Sequence, residues 1–277
     1  MLLFDLSGLG LRLRGLDRAL TESFGVRWAP FRAAAVAAPL LDVEVQTHGA
    51  PTAGTHLDAK RMRASLEGGT ARFEMEGGSI ALDAAGRAAA TLVPTTPERR
   101  FFTLVNLLGA GLAWRLPDLP GALLHAASLV LDGRAFVLVG PSGAGKTTWA
   151  REARRAGAVV LSDEMAFLDA AGVELEVLST PLRADRAAPQ GPGRFRLAAL
   201  LYAEHGAPAR LEPAPPPLLA AARLAANLPY VGELLERDPR VECLLNALAA
   251  RAPSYTLRFA PDPAFVGCLR ELLARRG

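Results

Sequence analysis

The sequence predicts an α/β fold preceded by a smaller β-rich region, and two stretches carry this prediction. In residues 136–150, FVLVGPSGAGKTTWA, an apolar run leads into a glycine loop that opens a helix, and another apolar run follows that helix. From Leu40 to Pro94, short apolar runs alternate with glycine turns instead. We therefore expect a β-rich accessory region with a linking helix over residues 1–115 and an α/β domain over residues 116–277.

Composition excludes several classes of protein. The chain has 277 residues, a formal net charge of +3 and 6% aromatic residues, and its basic residues are scattered. A nucleic-acid surface needs clustered basic residues with interleaved aromatics, so we expect no nucleic-acid partner. The longest apolar run, 101–114, is too short to span a bilayer, and no basic stretch precedes the apolar N-terminal residues. We therefore expect a cytoplasmic protein without a membrane partner.

The two cysteines, Cys243 and Cys268, lie far apart in segments with helical patterning. Their spacing fits neither a zinc site nor a disulfide framework. We expect both to be thiols in the protein core.

Before the glycine loop, the turn signals define strands and one helix. Glycine turns at 77–78 and at Gly86 separate three strands, and Pro97 stands at the first position of a helix that extends to residue 115. Asp132-Gly133 separates two runs rich in branched residues and predicts a tight hairpin. The strand that feeds the loop should therefore have an antiparallel neighbour directly before it.

After the loop, the sequence predicts a helix closed by Gly157, a strand that ends at an acidic pair, and a hairpin. The sequence next predicts a helix over 194–206 (RFRLAALLYAEHG) and a proline-rich connection over 207–218 (APARLEPAPPPL). Residues 217–252 should be helical with breaks near Pro229 and Pro239. A strand over 254–261 (SYTLRFAP) and a C-terminal helix, with Asp262 as its cap and Pro263 at its first position, complete the prediction.

The glycine loop carries the strongest chemical signal. Residues 140–147, GPSGAGKT, match G-x-x-x-x-G-K-[ST] in full, with a strand before and a helix after. In such a loop the backbone N–H groups and the helix N-terminus hold a polyphosphate, the lysine neutralises the β- and γ-oxygens, and the hydroxyl binds Mg²⁺. The expected cofactors are ATP and Mg²⁺, and the expected nucleotide-binding residues are Gly140, Ser142, Gly143, Ala144, Gly145, Lys146, Thr147 and Thr148.

The acidic pair Asp163-Glu164 ends the next strand. A carboxylate there can bind Mg²⁺ together with Thr147, or can take the proton of an attacking hydroxyl. Spacing alone does not divide these roles between the two residues. Spacing alone likewise gives no catalytic role to His125, because a lone histidine among apolar residues is more often a residue of the core.

His125, the hairpin, GPSGAGKTT, the glycine-ended helix and VLSDE stand in an order that resembles the catalytic domain of HPr kinase/phosphorylase and its relatives. Phosphoenolpyruvate carboxykinases share that P-loop architecture. The resemblance implies a P-loop nucleotide-binding core of this type over residues 116–277. The N-terminal region does not resemble the regulatory domain of the full-length enzymes.

The resemblance also implies roles for individual residues. Asp163 would be the base for a serine hydroxyl, and His125 would lie beside this carboxylate. Glu164 stands where the family usually has a second aspartate, and Ala126 stands where it usually has glycine. In STPLRAD, Arg183 and Asp185 occupy the place of an arginine and an acidic residue of the family, so Arg183 would contact the transferring phosphate.

The resulting prediction is an ATP- and Mg²⁺-dependent kinase that phosphorylates a serine of a small protein or peptide. A small-molecule kinase and a nucleotide-binding scaffold without transfer activity remain alternatives. A transporter or motor ATPase is disfavoured, because the chain has no LSGGQ-like signature. The sequence indicates neither the acceptor nor the oligomeric state.

Overall fold

The computed structural model describes residues 1–48, 62–182, 191–230 and 238–275. These residues form a mixed α/β structure with two mixed sheets, which confirms the predicted α/β class. Within these ranges, no helix combines the length and the apolar composition needed to cross a membrane. The chain divides into two compact units, and the described residues up to Asp118 form most of the first.

The first unit contains a seven-stranded sheet in the order β1-β2-β3-β7-β6-β5-β4. Strands β2, β3 and β7 pair in parallel, and the other neighbours are antiparallel. The strands are β1 (Leu2–Asp5), β2 (Gly10–Arg14), β3 (Leu41–Thr47), β4 (Arg63–Glu67), β5 (Thr70–Met75), β6 (Gly78–Leu82) and β7 (Arg87–Leu92), and the helices are α1 (Arg18–Arg27) and α2 (Pro97–Arg115).

Helix α2 packs on this sheet and confirms the helix predicted from Pro97. Its N-terminus is capped by Thr96, whose hydroxyl accepts the N–H of Arg99. The ring of Phe24 on α1 contacts Phe101 with 4.7 Å between centroids. The turns at 77–78 and Gly86 are confirmed. Strands β1 and β2 and helix α1 were not predicted, although Ser7-Gly8 is a turn dipeptide and leucine alternates with arginine in β2.

The second unit contains an eight-stranded sheet. The pairing path runs β10-β8-β11-β12-β13-β15-β14, and β9 lies between β8 and β13. Its strands are β8 (Gly121–Leu131), β9 (Arg134–Val139), β10 (Val159–Ser162), β11 (Met165–Asp169), β12 (Glu176–Leu178), β13 (Arg194–His205), β14 (Arg210–Pro213) and β15 (Ser254–Phe259), and its helices are α3 (Lys146–Arg155), α4 (Pro217–Ala225), α5 (Pro239–Arg251) and α6 (Phe265–Ala274).

The long strand β8 is the centre of this sheet. It forms the predicted antiparallel hairpin with β9, and the positive φ angles of Asp132 (50°) and Gly133 (77°) are those of a type I′ turn. Its other edge pairs with β10 and then with β11. Strand β9 also pairs in parallel with β13, which lies in parallel against β15. The predicted hairpin after the acidic pair is confirmed as β11 and β12.

The helix predicted over 194–206 is wrong, because this segment is strand β13. Alanine and leucine favour a helix in isolation. However, six consecutive residues, 197–202, are buried, as expected of a strand that is covered on both faces. Pairing with β9 and β15 outweighs local propensity here.

Three smaller expectations are also corrected. The proline-rich connection contains the edge strand β14, whose Pro213 stands at the strand end, where proline is tolerated. The C-terminal helix begins at Phe265, because the Asp262 carboxylate accepts the N–H of Ala264 in a turn before it. Cys243 is exposed and Cys268 is half-buried, so neither is a fully buried core thiol.

Candidate functional site

Strand register brings the glycine loop and the acidic pair to the same level of the sheet. Strand β9 ends at Val139, which pairs with Ala126 on one edge of β8. On the other edge, Met165 pairs with the next residue, His125. The loop that starts after Val139 and the acidic pair that precedes Met165 therefore lie on either side of β8.

The glycine loop requires glycine at two positions where the backbone is crowded or strained. A Cβ at Gly140 would lie 2.7 Å from the Cβ of Ala144 and 3.2 Å from that of Ala203 on β13. Gly145 has a φ angle of +87°, and a Cβ there would lie 3.2 Å from the Phe259 ring. The loop then turns directly into α3, so that the N–H groups of the first helical turn point into the site.

The ammonium of Lys146 is buried inside this loop. The residue is 6% exposed, and its Nζ donates to the carbonyl oxygens of Gly140 at 2.6 Å and of Pro141 at 3.0 Å. Burial lowers the pKa of this ammonium, and the negative charge of Glu164 opposes the shift. A buried cation is costly for the fold, and such groups are found preferentially at functional sites.

A cavity of about 420 Å³ joins the loop to the acidic pair. The loop and the start of α3 contribute one wall, and the middle of β8 and the acidic pair after β10 contribute the other. Its lining residues are His125, Ser142, Gly143, Gly145, Lys146, Thr147, Thr148, Asp163 and Glu164. Two of the predicted nucleotide-binding residues, Gly140 and the buried Ala144, are not part of this lining.

The two carboxyl groups of the acidic pair have different surroundings. Asp163 is only 3% exposed. Burial raises the pKa of the Glu164 carboxyl, the adjacent Asp163 charge raises it further, and the Lys146 ammonium opposes both effects. The Glu164 carboxyl group is therefore subject to the charges of both Lys146 and Asp163.

The oxygen atoms around the cavity suit a hard divalent cation such as Mg²⁺. Thr147, Asp163 and Glu164 all line it, and Mg²⁺ prefers oxygen ligands. No group of three or more His, Cys, Asp or Glu side chains that could hold a metal ion is found in the described part of the chain.

His125 lies among the cavity residues, half-buried at the point where β8 passes between the loop and the acidic pair. Its backbone N–H donates to the carbonyl oxygen of Asn227, which follows α4. Arg183 and Asp185 lie outside the described residues. The remaining predicted site residues lie together at the loop end of β8 and β9.

Two residues of this region were missed by the sequence analysis. Ser162, directly before the acidic pair, uses its hydroxyl in the turn that carries the pair, and a serine before two polar residues is itself a turn signal. His205 Nε2 lies 3.3 Å from the carbonyl oxygen of Gly143. It was missed because its segment was predicted as a helix, whereas in β13 it lies just beyond Tyr202, the partner of Val139.

Comparison with known protein families and with curated proteins gives no significant match to this chain.

Proposed function

We propose that this protein binds ATP with Mg²⁺ in the cavity at the glycine loop and transfers the γ-phosphate to a hydroxyl group, most readily the serine of a small protein or peptide. The α/β unit is then a P-loop nucleotide-binding core of the HPr kinase and phosphoenolpyruvate carboxykinase type. The observation that carries the proposal is the placement of the buried Lys146 ammonium and the Asp163-Glu164 carboxyl pair in the walls of one cavity.

Nucleotide binding follows from the charge and the direction of the loop groups. Lys146 donates to two loop carbonyl oxygens in the structure, and a phosphate oxygen is a stronger acceptor for a charged donor. The N-terminus of α3 adds the positive end of its dipole. The loop therefore offers a polyphosphate a charge partner and oriented N–H groups without rearranging a strand.

The acidic pair supplies the second requirement of phosphoryl transfer. Asp163 would accept the proton of the acceptor hydroxyl as the new oxygen–phosphorus bond forms, while the bond from the γ-phosphorus to the β,γ-bridging oxygen breaks and ADP leaves. Thr147 and Glu164 would hold the magnesium ion, which neutralises phosphate charge when bound. His125 lies in the same wall and would contact the carboxylate or the acceptor.

The test is a transfer assay that uses the two lysines of the chain as a matched pair. Lys146 is in the loop, and Lys60 is the only other lysine. The parent protein, Lys146→Ala and Lys60→Ala are titrated with ATP and Mg²⁺ in a calorimeter and then incubated with γ-labelled ATP and a serine-containing peptide library. We expect the parent and Lys60→Ala to bind ATP and label the same peptides, and Lys146→Ala to do neither.

The alternatives give different results in the same assay. If small hydroxyl metabolites are added as a second set of acceptors, their labelling without that of any peptide would identify a small-molecule kinase. Tight binding of ATP with no label on any acceptor would favour a nucleotide-dependent scaffold. Equal ATP affinity in the parent and in Lys146→Ala would contradict the proposal.

A further inference from the structure

The turn that carries the acidic pair is organised by one buried hydroxyl group. Ser162 is fully buried at the end of β10. Its Oγ donates to the carbonyl oxygen of Leu182 at 3.0 Å and accepts the N–H groups of Glu164 at 3.2 Å and of Met165 at 3.0 Å. One donor and both lone pairs of the hydroxyl are therefore used.

These bonds act where the strand is interrupted between β10 and β11. Ser162 pairs with Ser128 of β8, and Met165 pairs with His125. The residues between them, Asp163 and Glu164, are outside both strands and line the cavity. The Ser162 hydroxyl accepts hydrogen bonds from the backbone of Glu164, within the pair, and of Met165, directly after it. These bonds fix the path of the chain through both acidic residues.

We propose that Ser162 is a positioning residue for the acidic pair, and that its hydroxyl holds the two carboxyl groups in the geometry needed for phosphoryl transfer. This inference rests on the proposed function. Ser162 touches neither nucleotide nor acceptor in this account, and it acts through the backbone of Glu164 and Met165. Groups that orient metal-binding carboxylates commonly change activity about 10- to 100-fold when they are removed.

The neighbouring strand offers a matched control. Ser128 is the cross-strand partner of Ser162 and is equally buried, yet its Oγ has no hydrogen-bond partner within the described part of the chain. Ser128→Ala and Ser162→Ala therefore remove the same atom from adjacent buried positions. Only the second removes hydrogen bonds to the turn.

The experiment compares the parent and both variants in two independent measurements. The first is amide hydrogen exchange at Glu164 and Met165. We expect Ser162→Ala to raise these exchange rates about 10-fold, as for loss of a hydrogen bond of ordinary strength, and Ser128→Ala to leave them unchanged. The second is steady-state transfer kinetics with the acceptor found for the parent. We expect Ser162→Ala to lower kcat about 10- to 100-fold with a smaller change in the ATP dissociation constant, and Ser128→Ala to retain the parent kcat.

The two measurements separate failure of this inference from failure of the proposed function. If the parent binds no ATP or transfers no phosphate, the proposed function fails, and so does the inferred role in transfer, while amide exchange still shows whether the hydroxyl orders the turn. If the parent is active and Ser162→Ala matches Ser128→Ala in kcat, the positioning role is overturned. A Ser162→Ala variant that loses ATP affinity as strongly as kcat would also overturn it, because the defect would then be general.

Discussion

The two ends of the β8–β9 hairpin each border a cavity, but charged side chains are buried at one end and exposed at the other. At the loop end, a cavity of about 420 Å³ is lined by Lys146, which is 6% exposed, and by Asp163, which is 3% exposed. At the turn end, a larger cavity of about 540 Å³ is lined by Arg196 and Glu174, which form an ion pair with about half of each side chain exposed. The larger cavity is therefore the one whose charges are solvated and neutralised.

From this difference, and not from cavity size, we infer that the loop end is the functional end. Exposed ion pairs contribute little to stability and are tolerated almost anywhere on a surface. Burial of a charge opposes folding, and groups with strongly perturbed charges are found preferentially at functional sites. The comparison predicts that substitutions at the loop end change ligand binding and transfer, while substitutions at the turn end change neither.

The largest effect after loss of Lys146 is expected at Asp163. Asp163→Asn keeps the size of the side chain but removes the base, so transfer should fall about 10²- to 10⁴-fold while ATP affinity is retained. Single-turnover transfer kinetics and calorimetric titration measure the two quantities. Parent-like transfer by Asp163→Asn would remove this residue from the mechanism.

Gly145→Ala should reduce both stability and ATP affinity. An alanine with a φ angle of +87° costs about 1–2 kcal/mol, and its Cβ would press on the Phe259 ring at 3.2 Å. Gly133→Ala is the control at the turn end, with a φ angle of +77° and no atom within 4 Å of the added Cβ. Denaturant unfolding should show a lower free energy of unfolding in both variants, whereas calorimetry should show weaker ATP binding only in Gly145→Ala.

Glu164→Gln should make the protein more stable at neutral pH. Because the pKa of Glu164 is raised in the folded state, the folded protein holds this proton more tightly than the unfolded chain does. The contribution of the protonated Glu164 carboxyl group to the free energy of unfolding is thus greatest at pH values below the ordinary glutamate pKa. This contribution is lost as the pH rises through the raised pKa of the folded state. The Tm difference between Glu164→Gln and the parent should therefore grow with increasing pH, and a difference that shrinks instead would contradict the assigned burial of this carboxyl group.

The smallest effect is expected from Glu174→Gln at the turn end. Its ion pair with Arg196 is exposed, so Tm, ATP affinity and transfer rate should all stay at the parent values. A clear loss of transfer in Glu174→Gln would break the distinction between the two ends.

The sequence predicted the parts of the site whose residues are adjacent in the chain. The loop, α3 and the acidic pair follow one another within a single strand–helix–strand unit, so glycine, lysine and aspartate spacing was sufficient. The contacts of His205 could not be predicted, because they depend on β13 lying beside β9 after a long connection, and its alanine and leucine residues favour a helix locally. The hydrogen bond from Ser162 to Leu182 is equally non-local.

The most direct test of the central claim is competitive amine labelling of the two lysines with and without ATP and Mg²⁺. The reagent modifies the neutral amine, and burial lowers the pKa of Lys146, so this residue carries more neutral amine at a given pH than it would in water. Mass spectrometry then reports the labelling rate of Lys146 and of Lys60 within the same molecule. We expect saturating ATP and Mg²⁺ to suppress labelling of Lys146 and to leave the labelling of Lys60 unchanged. Equal labelling rates at Lys146 with and without nucleotide would contradict nucleotide binding at the glycine loop.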